Sequence, residues 1–155
     1  MPKDTVKSDP FEKDDRVLYA LGFEDLALAD EPALILSRKQ IIESAEAKGW
    51  PLPVRVSKKG NEKVDFDFRP SDLAVHPKTG NYYILSGPDR TLLAVTPKGE
   101  LRGTAVFPPE TLAQPEGLAF FPNGDLLISS EGTRAKKGEQ PDATAVILRF
   151  PNLPR

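Results

Sequence analysis

The 155-residue chain carries 21 Lys and Arg against 23 Asp and Glu, with both signs interspersed, which excludes the one-signed basic stripe of a nucleic-acid binder. At 39% hydrophobic and 28% charged it is ordinary for a globular protein. The absence of cysteine excludes disulfides, thiolate metal sites and a cysteine nucleophile.

Residues 1–15 (MPKDTVKSDPFEKDD) have no apolar centre, so they read as a flexible solvated segment and not as a signal peptide. Residues 16–23 (RVLYALGF) and 32–36 (PALIL) predict two strands. A helix follows, with Ser37 as its N-cap, Gln40 completing a capping box and Gly49 as the stop. Ile41, Ile42 and Ala45 give this helix one apolar face, and Lys39 and Glu43 pair on the other. Trp50 stands between the helix and the next strands as a packing anchor. Residues 54–56 and 64–68 alternate apolar and polar around Lys58-Lys59-Gly60-Asn61, a hairpin signal. The alternation puts Asp65 and Asp67 on one solvent face. No stretch approaches the roughly 18 apolar residues of a membrane span.

An internal repeat dominates the remainder. PSDLAVHPKTGNYYILS (70–86) matches PEGLAFFPNGDLLISS (115–130), with identities at Pro70/Pro115, Leu73/Leu118, Ala74/Ala119, Pro77/Pro122, Gly80/Gly124, Ile84/Ile128 and Ser86/Ser130. The two copies start 45 residues apart, a spacing found in four-stranded propeller blades. Each copy is a strand, a tight turn and a second strand. The first continues through 91–96 and 101–107, predicting a full blade over 70–107. The second continues only through 145–150, predicting a three-stranded blade over 115–150. The reading is therefore all-β: residues 16–155 form a partial β-propeller of about two blades, roughly nine strands, with one short helix.

With its surroundings (RVLYA at 16–20, PALILS at 32–37, QPEGLAFFPNGDLLISSEG at 114–132 and ILRF at 147–150) this repeat resembles the C-terminal half of the SdiA-regulated family of bacterial six-bladed β-propellers. The PEGLAFxPxGDL core is similar to NHL-type and gluconolactonase-like propellers as well. The resemblance implies a cell-envelope or periplasmic protein, in some members with a cation in the central channel.

Propeller geometry places residues just before a blade's first strand on the same rim as those just after its second. Ser71, Asp72, Ser86, Asp89 and Arg90 from one blade and Glu116, Glu131 and Arg134 from the next fall on that rim, and Ser71, Asp72, Glu116, Glu131 and Arg134 are the candidate ligand-binding residues. Ser71 and Glu116 are equivalent in the repeat and enter the innermost strands. Glu116 is the candidate metal ligand, for Ca²⁺, which takes about 6–8 oxygens. His76, the only histidine, falls at the opposite end of its strand and reads as a packed residue. No catalytic motif occurs.

The function expected is therefore a non-catalytic binding or scaffolding module for a small ligand, with a calcium-assisted channel site. The alternative is a calcium-dependent hydrolase of the gluconolactonase or esterase kind, motivated by PEGL at the channel mouth. Strands numbering two, four and three cannot close a ring of roughly 4–8 blades. The expected partners are thus the remainder of a longer propeller or identical chains that complete the ring.

Overall fold

A computed structural model describes residues 11–133 and 144–151. Its elements run β1 (Asp15–Leu18), β2 (Leu34–Ser37), α1 (Arg38–Lys48), β3 (Val54–Val56), β4 (Glu62–Val64), β5 (Pro70–Val75), β6 (Tyr82–Ser86), β7 (Thr91–Val95), β8 (Leu101–Val106), β9 (Pro115–Phe120), β10 (Leu126–Ser130) and β11 (Val146–Phe150). Four antiparallel sheets result: β1–β2, β3–β4, the four-stranded meander β5–β6–β7–β8 and the three-stranded meander β9–β10–β11. Among the described residues the fold is all-β with one helix, and the nine strands expected become eleven once the predicted hairpin, β3–β4, is counted.

The two sequence repeats fold alike down to their irregularities. In the first hairpin Pro70 pairs with Ser86 and Asp72 with Leu85, so Ser71 bulges out. In the second, Pro115 pairs with Ser130 and Gly117 with Ser129, so Glu116 bulges out. Both hairpins turn on a glycine with positive φ, 70° at Gly80 and 95° at Gly124, a conformation that Cβ-bearing residues resist.

The four-stranded meander lies between two cores. Ile84, Leu93 and Val95 face one core with Leu34, Leu36, Ile41, Ala45, Phe66 and Phe68. Tyr83, Leu85 and Leu92 face the other with Leu112, Leu118, Leu126 and Ile128. A sheet covered on both faces needs apolar residues at consecutive positions, which is why β6 and β7 read YYILS and TLLAV.

The structure departs from the sequence expectations in four places. β1 ends at Leu18 instead of running to Phe23. Beyond it Tyr19, Leu21 and Phe23 are exposed, and only an isolated Leu21–Leu28 bridge continues the ladder. β4 stops at Val64 because the chain then turns into the first core. There Phe66 and Phe68 are fully buried with ring centroids 5.4 Å apart, and Phe68 takes a φ of 49°.

The third departure concerns helix α1. Ser37 occupies the N-cap position with φ −80° and ψ 121°, but its side chain makes no capping hydrogen bond. The C-terminus closes as expected, with Gly49 at φ 65° and the Trp50 N–H donating to the Ala45 carbonyl, the Schellman arrangement. The fourth departure is on β5. Coverage by blades on both sides predicts burial of Leu73 and Val75, yet they are 36% and 50% exposed. The sheet lying over that side is only the two-stranded β1–β2.

Candidate functional site

The two meanders meet through their first strands, β5 and β9, and the candidate residues sit where these strands begin. Ser71, on its bulge, donates to the carbonyls of Leu85 and Pro115, each at 3.3 Å. Asp72 goes further across the boundary. One carboxylate oxygen accepts the Leu118 N–H at 2.6 Å and the other accepts the Leu73 N–H at 2.8 Å. Ser71 and Asp72 therefore tie the first meander to the second.

Their hydrogen-bonding capacity is largely committed to that structural task. The approach is close enough that small residues are required. A Cβ on Gly87 would lie 2.8 Å from the Pro115 carbonyl oxygen, and one on Gly117 would lie 2.8 Å from the Ser129 hydroxyl.

Glu116 and Glu131 differ from this pair, being exposed. They flank a shallow concavity of about 480 Å³ with Ser129 and Ile147. Its apolar wall and its two carboxylates suit a small ligand with cationic or hydroxyl groups. Gln114 organises the Glu131 side. With its amide nitrogen turned toward acceptors, it donates to Glu131 Oε1 at 2.7 Å and to the Gly132 carbonyl at 3.2 Å. The Glu131 N–H returns a bond to the Gln114 carbonyl at 3.2 Å. Arg134, the fifth candidate, lies outside the described residues.

Among the described residues no three His, Asp or Glu side chains converge as a metal-binding group. Glu116 and Glu131 thus supply only part of the oxygen set that Ca²⁺ demands. His76 is 6% exposed, and its Nδ1 accepts the N–H groups of Lys78 and Thr79, each at 3.2 Å. Its ring meets Phe120 edge-on at 4.9 Å. These contacts make it a turn anchor and a packing group.

The most elaborate polar assembly centres on Asp89, whose role sequence reasoning missed. The residue is 8% exposed, and its carboxylate accepts the Asp67 N–H at 3.1 Å, the Phe68 N–H at 2.8 Å and the Ser86 hydroxyl at 2.6 Å. Ser86 in turn receives the Arg69 N–H at 2.9 Å. The second repeat keeps half of this device, with the Gln114 N–H bonded to Ser130 Oγ at 3.0 Å. The signal was present in the identity of Ser86 and Ser130, each opposite the proline that opens its hairpin.

No known protein family, no curated protein and no solved structure matches this chain.

Proposed function

We propose that the chain is a β-propeller segment of about two blades, β5–β8 and β9–β11, acting as a non-catalytic binding or scaffolding module. Support for the propeller reading comes from two meanders built on one repeat, the shared bulge at Ser71 and Glu116, and first strands that lie side by side. The observation that carries the non-catalytic reading is the engagement of Ser71 and Asp72 in joining the meanders. That leaves the exposed Glu116 and Glu131 to meet a small ligand. Metal-assisted hydrolysis requires several ligands and a base around one open coordination position, and two rim carboxylates fall short of it. A Ca²⁺ ion at Glu116 would take its remaining oxygens from water and from groups beyond these two side chains.

Calorimetric titration with CaCl₂, beside a panel of lactones and esters, tests this reading. Saturable heat that Glu116→Gln removes, without turnover of any panel member, is the expected result. Calcium-dependent turnover lost in Glu116→Gln would overturn it in favour of the hydrolase.

A further inference from the structure

The repeat makes the two meanders comparable position by position, and the comparison exposes a vacancy. In the second meander the side facing the first is sealed. Leu118 is buried, its N–H is held by Asp72, and Phe120 packs against Tyr83 and His76. The equivalent positions of the first meander are Leu73 and Val75. They face away from the second meander, and both remain exposed.

Three features coincide there. The edge of β1 that faces away from β2 has no strand partner among the described residues. A mostly apolar cavity of about 550 Å³ separates β1 from β5, walled by Val17, Leu18, Pro70, Leu73 and Ile84, with Arg16, Arg69, Ser71 and Asp72 completing its lining. Finally, the Leu73 N–H bonds to its own neighbour, Asp72, where the equivalent Leu118 N–H bonds across to another sheet.

We infer that this face is a docking site for a β-hairpin supplied by another polypeptide. One strand of the hairpin adds antiparallel to the free edge of β1, and the other lays apolar side chains on Leu73 and Val75. The hairpin carries an Asp at the position Asp72 holds in this chain, and that carboxylate takes the Leu73 N–H. The occupant is specified by continuity, since the β5–β6 hairpin already makes the same contacts to β9. Strand addition supplies backbone hydrogen bonds, and side-chain pockets supply selectivity. An unpaired strand edge is the part of a sheet most prepared to accept a partner.

A second copy of this chain fits the vacancy poorly. Its exposed hairpin, β9–β10, has Gly117 where the carboxylate is required, and β11 already occupies the edge position that β1 would fill. This inference rests on the binding-module reading but on a different face. The calcium and hydrolase assays report on Glu116, and the docking assay reports on Leu73.

The test adds a labelled peptide of residues 70–86, the chain's own Asp-bearing hairpin, to the full chain and follows fluorescence anisotropy. Saturable binding is expected. It should weaken about tenfold for the same peptide carrying Asp72→Asn, the loss of one charge-assisted hydrogen bond. Chain variant Leu73→Glu should abolish it, and Val56→Lys, at an exposed position on β3, should leave it unchanged. Isolated hairpins are marginally stable. A second version therefore tethers the peptide to the N-terminus through a Gly/Ser linker, raising its effective concentration to about the millimolar range. Slowed hydrogen exchange is expected at Leu73 and at those β1 amides that do not already bond to β2. Equal binding of the Asp and Asn peptides, no protection in the tethered chain, or self-association that Leu73→Glu abolishes would each overturn the inference.

Discussion

Removing the Asp89 carboxylate tests how the strand-poor region between β4 and β5 is held against the first meander. In Asp89→Ala the N–H groups of Asp67 and Phe68 and the Ser86 hydroxyl all lose an acceptor. A buried donor left unsatisfied costs about 1–3 kcal/mol, and hydrogen bonds to a charged group contribute about 1.5–3 kcal/mol each. Ser86 can turn to its remaining acceptor, the Arg69 carbonyl at 3.2 Å, and the Asp67 N–H is only part-buried. The Phe68 N–H is buried and has neither relief. The expected loss is therefore about 3–4 kcal/mol, below the simple sum of three bonds. For a domain of this size that lowers Tm by about 6–16 °C.

Asp89→Asn retains one acceptor oxygen and should cost about half as much. Urea unfolding at constant pH gives the free energies, and hydrogen exchange reads the Phe68 amide directly. Phe68 has a strained φ of 49°, so its amide should lose protection before the strands do. A loss below about 0.5 kcal/mol in Asp89→Ala, the range of ordinary surface substitutions, with Phe68 still protected, would refute the reasoning.

Gly87→Ala drives a methyl group toward the Pro115 carbonyl and should destabilise by about 1–3 kcal/mol, read as a lower urea midpoint. Ser37→Ala should change stability by less than about 0.5 kcal/mol, because a residue at an N-cap that makes no capping bond has none to lose. An equilibrium denaturation curve checks it. Burial pushes the Tyr83 phenol above its usual value. The unfolded chain therefore ionises first, and stability held below about pH 10 declines as the pH rises through the folded value. Unfolding free energies from about pH 9 to about pH 11 should show this decline beyond what Tyr83→Phe retains.

The sequence by itself determined the all-β class, the helix with its glycine stop, and the meanders over 70–107 and 115–150. These features are local: a repeat with matched turns specifies its own hairpins, and strand pairing between neighbours follows from short connections. It also placed Ser71 and Glu116 at equivalent positions, and the structure gives both the same bulge. What lies across the chain was decided only by tertiary structure. Asp72 reads as a rim carboxylate in sequence and becomes a clasp on Leu118, 46 residues away. Asp89 reads as one more polar residue of the same rim and becomes the acceptor that gathers residues 67, 68 and 86. Alternation in residues 64–68 promised a longer strand, but burying two phenylalanine rings in the first core bent the chain instead. Leu73 and Leu118 hold equivalent positions in the repeat, yet one is exposed and the other buried. The physical reason is that burial belongs to the neighbouring sheet, and a repeat specifies its own hairpin without specifying what lies beside it.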